Sequence, residues 1–292
     1  MPASRRQFLI RTAGLLLATT GARAAPGNPA PIRIGLTPVI LDDQSRFLRR
    51  WRDWLERQFT REVQFVQRPR YRDITELLLR HELDAAWVCG YPYIAHAEQL
   101  RLLAVPVYRG EPRYHSLIIR TQQHKSIKNI DDLAGTSFAF SDPDSNSGYL
   151  YPMYRLREAL TRQPDFFRRT FFTWGHRNTI EAVAAGLADA GAVDSYVWET
   201  LQRRHPEYAE QAVVVERSPA FGFPPLVTHV DTPPPIHQRL AEVLLSMHED
   251  SEGRALLEQL ALDRFEAGQP DQYAGIHRML KELRQRGLVT AA

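Results

Sequence analysis

The residues best suited to chemistry form one short polar run, Ser145-Asn146-Ser147-Gly148, which stands between two apolar segments. Two hydroxyls and an amide lie side by side there. If a helix begins behind them, its first backbone N–H groups lack intrahelical partners and the positive end of its dipole faces the run. Such a run is suited to binding a small oxyanion. Serine and asparagine are also preferred helix caps, so the same run could close a helix start without any ligand.

A strand and a helix would hold these groups in place. The apolar residues 137–140 predict a strand, and Asp142-Pro143-Asp144 predicts a turn because Pro143 fixes φ and lacks an N–H. A helix should begin behind Gly148, since Pro152 is tolerated only near a helix start. The order strand, polar loop, helix therefore places the run at the edge of a sheet.

The wider segment 132–152, DLAGTSFAFSDPDSNSGYLYP, resembles the signature of PhnD-like periplasmic solute-binding proteins. These proteins take up phosphonate, phosphite or phosphate, and their pattern reads roughly D-L-x-G-x-x-F-x-F-x-D-P-x-S-x-S-G-x-L-x-P. The similarity extends from about residue 32 to about residue 265. The resemblance implies a protein that closes two lobes around a small oxyanion.

The alternation of short strands with amphipathic helices predicts an α/β protein with parallel, doubly wound sheets. One amphipathic helix is predicted over residues 47–59, where arginines alternate with acids and aromatics and form a solvated basic face, and another helix is predicted over residues 93–98. Together with the resemblance, it implies a two-lobed, type II periplasmic binding protein fold. Each lobe is expected to contain a mostly parallel sheet, and two hinge strands are expected to join the lobes. We assign residues 31–118 and 227–292 to lobe 1 and residues 119–226 to lobe 2.

Residues 1–24 resemble an export signal peptide of the twin-arginine type. Residues 4–9 read SRRQFL, a modest apolar core follows, and Ala22-Arg23-Ala24 is typical of a cleavage site. An ordinary secretory signal with two arginines is the alternative. Its removal takes four arginines from a chain of net charge +3, which leaves about −1 and gives no support for nucleic-acid binding. We therefore expect a periplasmic protein that acts as a monomer.

The predicted cleft contains polar residues from both lobes. Most of them stand at positions where PhnD-like proteins, which this sequence resembles, bind their ligand. Arg70 stands where the family has an acid before its tyrosine, and Asn146 replaces a small hydroxyl residue. Each residue also has a structural alternative: a packed tyrosine, a buried structural histidine, or an aspartate that caps the next helix. The predicted ligand-binding set is Tyr71, Cys89, Tyr114, Ser145, Asn146, Ser147, Gly148, His176 and Asp194.

Cys89 is the single cysteine and follows a predicted buried strand, where related transport proteins usually have glycine. It could be a small buried residue, because free cysteine is among the most buried residue types. It could instead face the cleft as a thiol ligand, as in the arsenite-sensing, AioX-like branch of the family. A nucleophilic role is a third alternative, but no histidine or carboxylate partner is evident by spacing.

We predict a periplasmic solute-binding protein that delivers phosphate, phosphite or a simple phosphonate to an ABC permease. The alternative is an oxyanion or arsenite sensor that uses Cys89 and a membrane histidine kinase. Asp194 can only accept hydrogen bonds when ionised, so it favours a ligand with an OH and disfavours sulfate. Tyr196 and Pro224-Pro225 stand where aminophosphonate binders have carboxylates, which argues against 2-aminoethylphosphonate. No enzymatic activity, catalytic residue, cofactor, metal or nucleic-acid partner is predicted.

Overall fold

The computed structural model describes residues 30–38 and 45–289. The predicted signal peptide, residues 1–24, lies outside the described residues. The strands are β1 (Ile32–Leu36), β2 (Val63–Gln67), β3 (Ala85–Trp87), β4 (Leu100–Val107), β5 (Arg113–Tyr114), β6 (Ser116–Thr121), β7 (Ser137–Phe140), β8 (Arg169–Phe172), β9 (Ala190–Asp194), β10 (Ala212–Arg217), β11 (Phe221–Gly222), β12 (Leu226–His229) and β13 (Arg264–Glu266).

Helices connect most of these strands. They are α1 (Ser45–Phe59), α2 (Tyr71–Leu79), α3 (Gly90–Ala95), α4 (Tyr151–Arg155), α5 (Arg157–Arg162), α6 (His176–Ala184), α7 (Ser195–Arg204), α8 (Pro206–Gln211), α9 (Pro234–Leu245), α10 (Ser251–Gln259) and α11 (Ala274–Gln285). A π-helical segment, Asn146–Leu150, leads directly into α4, and short 3-10 turns cover Ile130–Leu133 and Pro270–Tyr273. None of the helices in the described part of the chain is both long and apolar enough to cross a membrane.

The described strands form two main sheets. The first has the order β13-β4-β12-β3-β1-β2, and only β12 and β13 run against the other four strands. The second has the order β10-β6-β9-β7-β8, and only β6 runs against the rest. The predicted α/β fold with two mostly parallel, sheet-based lobes is confirmed.

The two chain segments that connect the first sheet to the second pair with each other. The chain leaves the first sheet through β5 and returns through β11, and these strands form an antiparallel ribbon in which Tyr114 pairs with Phe221. This ribbon corresponds to the two predicted hinge strands. The lobe limits proposed from the sequence, 31–118 with 227–292 and 119–226, remain predictions.

The apolar spacing of α1 buries one face of the helix on the first sheet. Phe47, Trp51, Trp54 and Leu55 are buried, whereas the arginines between them are at least partly exposed. Trp51 packs edge-on against Trp87 of β3, with ring centroids 6.2 Å apart. The predicted solvated basic face is therefore the outer side of an amphipathic helix.

Two helix starts differ from the predictions. The helix expected over residues 93–98 is α3, which begins at Gly90, directly after Cys89. The helix expected behind Gly148 begins at Asn146, because Ser145 already occupies the capping position. Both shifts bring the helix starts closer to the polar residues that the sequence singled out.

Candidate ligand-binding site

The loop after β7, residues 141–148, is called the polar loop here. Ser145 caps the π-helical segment, since its Oγ accepts a hydrogen bond from the Gly148 N–H at 2.9 Å. Asp142 and Asp144 stabilise the turn before it, where the Asp144 N–H donates to Asp142 Oδ1 at 2.8 Å. Ser145 therefore caps the helix start, and one of the helix-start N–H groups is satisfied within the loop.

Residues of the first sheet and of the β5–β11 ribbon contact the polar loop directly. The Asn146 N–H donates to Cys89 Sγ at 3.3 Å, and Asn146 Nδ2 donates to the Tyr114 hydroxyl at 2.9 Å. The Tyr71 N–H donates to Asp142 Oδ2 at 3.2 Å. The start of α2, the end of β3 and the ribbon thus meet at one loop.

His176 is the first residue of α6 and lies against the same loop. Its Nδ1 accepts a hydrogen bond from the Asp194 N–H at 3.2 Å, and its Nε2 lies 3.5 Å from Ser145 Oγ. Burial lowers the pKa of His176 to about 3, so the ring is neutral. Because Nδ1 accepts, the proton of the neutral ring is on Nε2 and points towards Ser145.

Asp194 ends β9 and caps α7. Its Oδ1 accepts hydrogen bonds from the Tyr196 N–H at 2.7 Å and the Val197 N–H at 3.3 Å. Among the described residues, Oδ2 accepts no hydrogen bond. Burial raises the pKa of Asp194 to about 7. The capping alternative is thus correct for one oxygen, and the second oxygen is left for another donor.

Four fully buried polar atoms in and beside the polar loop have no hydrogen-bond partner among the described residues. They are Tyr71 OH, Ser141 Oγ, Asn146 Oδ1 and Ser147 Oγ, each on a residue with no measurable exposure. A buried polar group without a partner costs about 1–3 kcal/mol. Three of these groups are hydroxyls and one is an amide oxygen that only accepts. The arrangement suits a small molecule that offers several acceptors and at least one donor.

One cation beside these atoms is paired and two hydroxyls are held neutral, whereas Asp142 of the polar loop stays largely ionised at neutral pH because burial raises its pKa only to about 6. Arg72 pairs with Asp144 through Nε at 3.1 Å and a terminal nitrogen at 3.0 Å, so its charge is compensated. Burial raises the pKa values of Tyr71 and Tyr114 well above their ordinary range, which keeps both hydroxyls protonated. The site would therefore bind an anion through neutral donors.

Cys89 lies inside this site with 2% exposure. Burial raises the pKa of its thiol to about 11, so the sulfur is protonated near neutral pH. No histidine or carboxylate hydrogen-bonds to it within the described ranges. A buried neutral thiol without a base lacks the features of an activated nucleophile.

Gly148 is required by close packing. A Cβ at this position would lie 1.6 Å from Ser141 Oγ and 3.1 Å from His176 Cε1. The absent side chain allows Ser141 and His176 to approach the loop from two sides. Ser116 supports the same region, since its Oγ donates to the Ser147 carbonyl at 2.6 Å.

All nine residues predicted from the sequence line or support this one region. Sequence reasoning missed Ser141, Ser116 and the Arg72–Asp144 pair. Ser141 follows β7 directly, which is the signal that could have identified it, because ligands lie beyond the carboxyl ends of such strands. Tyr196 is turned away, since its hydroxyl donates to the Leu260 carbonyl.

A family model described as "ABC transporter, phosphonate, periplasmic substrate-binding protein" matches residues 34–273. The chain is 31% identical over 159 residues to the phosphate-import protein PhnD of Mycolicibacterium smegmatis, a match that spans about half of each protein. It is 23% identical over 251 residues to the phosphonates-binding periplasmic protein of Escherichia coli, covering 82% of this chain and 74% of that protein.

Two solved structures share the fold. A binding protein component of an ABC phosphonate transporter from Pseudomonas aeruginosa superimposes with a TM-score of 0.77 at 23% identity, covering 88% of both chains. PhnD1 from Prochlorococcus marinus in complex with methylphosphonate also gives 0.77 at 21% identity, covering 88% of this chain and all of that chain. At these identities the superpositions establish the fold alone.

Proposed function

The chain belongs to the family of periplasmic substrate-binding proteins of phosphonate ABC transporters, and from that premise we propose that it captures a small phosphorus oxyanion for an ABC permease. The proposed ligands are phosphate, phosphite or a simple phosphonate such as methylphosphonate. The proposed compartment is the periplasm. The observation that carries the proposal is the group of four buried, unpartnered polar atoms around the polar loop.

The mixture of donors and acceptors supports a ligand that carries both. The hydroxyls of Tyr71, Ser141 and Ser147 can donate to oxyanion oxygens. Asn146 Oδ1 can only accept, because Nδ2 of the same amide donates to Tyr114. A protonated phosphate or phosphonate offers the required OH, whereas sulfate is fully deprotonated near neutral pH and would leave this oxygen unpaired.

The proposed mechanism is closure of the two lobes over the ligand. Tyr71 and Cys89 contact the polar loop from the first sheet, and Arg72 adds an ion pair with Asp144 of that loop. Separating the sheets would break these contacts and open the site to solvent. A ligand that bonds to both sides stabilises the closed form by its differential affinity, and the permease would recognise that form.

The surroundings of the site support exclusion of 2-aminoethylphosphonate. An ammonium group needs a carboxylate partner when it is buried. The Tyr196 hydroxyl is bound to Leu260 and the carbonyl of Pro224 accepts from Trp87 Nε1, so neither predicted position offers a negative charge. The Asp194 carboxylate is partly protonated at neutral pH because its pKa is raised to about 7.

A sensory role is the second candidate, and the position of Cys89 Sγ in the site favours it. A protonated thiol beside the ligand could exchange its proton for a bond to arsenic when arsenous acid enters, with release of water. The partner would then be a sensor kinase instead of a permease. The chain has a single cysteine, so its one thiol would give a single arsenic–sulfur bond.

Isothermal titration calorimetry of the mature protein tests the main proposal. The panel is phosphate, phosphite, methylphosphonate, 2-aminoethylphosphonate, arsenate, arsenite and sulfate. Saturable binding of a phosphorus oxyanion, with sulfate and 2-aminoethylphosphonate at least 100-fold weaker, is expected. Binding of none of the phosphorus compounds would refute the proposal.

The variant Cys89→Ser separates the two candidates. Serine keeps a small hydrogen-bonding group next to Asn146 but lacks the soft sulfur that arsenic(III) prefers to its oxygen ligands in water. If the protein is a transport component, the affinity for phosphate or phosphite should change by less than about tenfold. If arsenite binds to the wild type and this binding disappears in Cys89→Ser, the sensory candidate replaces the main one.

A further inference from the structure

A second group of potential ligands lies away from the polar loop, at the far end of α2. It consists of His81, His229 and Asp231, called the histidine cluster here. One ligand atom from each residue lies within 4.8 Å of the others. Tyr71 begins α2 and His81 follows its end, so a rise of 1.5 Å per residue separates the cluster from the polar loop by about 15 Å.

The two imidazoles are already in contact. Their ring centroids lie 4.1 Å apart at an interplanar angle of 63°. The side chain of His229 is only 8% exposed, and its Nδ1 lies 3.5 Å from Asp231 Oδ2. The same nitrogen accepts the Asp231 N–H at 3.1 Å, which orders the short turn after β12.

The backbone at His81 holds its ring in this position. His81 has φ +57°, the left-handed conformation that a helix end normally gives to glycine. The His81 N–H donates to the Leu78 carbonyl at 3.0 Å and the Glu82 N–H to the Leu77 carbonyl at 2.9 Å, so the conformation is fixed by the helix end. A histidine at this glycine position costs backbone energy, and it places an imidazole against His229.

We propose that the histidine cluster is a binding site for a borderline divalent transition metal, with Zn²⁺ as the reference ion. Two imidazoles and a carboxylate form a donor set that suits Zn²⁺, Cu²⁺ and Ni²⁺, with water completing the coordination. Mg²⁺ and Ca²⁺ prefer all-oxygen sites and should bind far more weakly. The bound ion would join the end of α2 to the end of β12, which are distant in sequence.

Calorimetric titration of ZnCl₂ into the chelator-treated, untagged mature protein tests the site. We expect one Zn²⁺ per chain at this site and no measurable binding of MgCl₂. The variant His81→Gly removes one ligand while fitting the left-handed backbone, so it should fold normally and lose at least tenfold in Zn²⁺ affinity. His229→Ala should lose a similar factor, and His277→Ala, an exposed histidine on α11, should bind like the wild type.

A thermal-shift measurement provides a second readout. Excess Zn²⁺ should raise the melting temperature of the wild type and of His277→Ala by the same amount, and that of His81→Gly clearly less. Absence of Zn²⁺ binding to the wild type would overturn the proposal. Undiminished binding by the folded His81→Gly variant would overturn it as well.

Discussion

Replacing Tyr71 with Phe should raise the free energy of unfolding of the ligand-free protein and lower its affinity for the ligand. Both effects come from the loss of one hydroxyl. Tyr71 is fully buried, and its OH has no hydrogen-bond partner among the described residues. Removing an unpartnered buried hydroxyl relieves a cost of about 1–3 kcal/mol. A hydrogen bond from that hydroxyl to an anion contributes about 1.5–3 kcal/mol, so its loss should raise the Kd about 10- to 150-fold.

Tyr273→Phe is the matched control, because Tyr273 is equally buried but its OH donates to the Phe223 carbonyl at 2.7 Å. Its removal leaves a buried carbonyl unpaired and should destabilise the protein by about 1–3 kcal/mol. Ligand affinity should stay within about threefold of the wild type. Urea denaturation without ligand gives the free energies of unfolding, and calorimetry with phosphate and methylphosphonate gives the affinities.

The two variants should therefore change the free energy of unfolding in opposite directions, and only Tyr71→Phe should change the ligand affinity. If Tyr71→Phe lowered the free energy of unfolding as much as Tyr273→Phe and left both affinities unchanged, the Tyr71 hydroxyl would be a structural group. The polar loop would then have lost one of its assigned donors, and the reasoning from unpartnered atoms would be wrong.

Three further predictions follow from single contacts. Asp194→Asn keeps an oxygen for the α7 cap but removes the titrating group. Burial raises the pKa of Asp194 from 3.8 to about 7, so the folded wild type binds a proton that the unfolded chain has already released. The wild type should therefore lose stability on the order of 4 kcal/mol as the pH rises from 4 to 7. The variant should lack most of this loss in urea denaturation at pH 4, 5.5 and 7, and an unchanged slope would contradict the assignment. Gly148→Ala should abolish ligand binding in calorimetry and destabilise the fold by about 1–3 kcal/mol, because the added Cβ overlaps Ser141. Gly275→Ala is the control and should change neither property, because its Cβ would lie 3.7 Å from the nearest atom. Arg72→Gln removes the half-exposed ion pair with Asp144 that helps to hold the closed form. The release rate of methylphosphonate, measured by stopped flow, should rise about two- to fivefold at low salt and much less at 0.5 M NaCl, because salt screens the pair. An equal increase at both salt concentrations would exclude an electrostatic cause.

Local patterns predicted the strands and the polar loop well because their causes lie within a few residues. The run Ser137–Phe140 became β7, Ser145 became a helix cap, and the spacing of α1 buried its tryptophans as expected. Helix starts at Gly90 and Asn146 were displaced by two or three residues. Capping competes over such short distances, and tertiary contacts on both sides decided the outcome.

Contacts between residues that are distant in sequence could not be predicted from local patterns. The Arg72–Asp144 pair and the Ser116–Ser147 bond join residues that no local pattern connects. The histidine cluster is the extreme case, since His81 and His229 belong to different elements and share no motif. Such groups become neighbours only when the first sheet has formed.

The amino-acid sequence alone determined the fold class and the identity of the polar loop, because hydrophobic period, turn residues and caps act over one or two turns of chain. The tertiary structure decided the chemical state of the site. Burial of Cys89, His176 and Asp194 makes the thiol and the imidazole neutral and leaves the carboxylate half protonated at neutral pH, since removing water penalises each charged form. Desolvation depends on what packs around a group from every side, which no stretch of sequence specifies by itself.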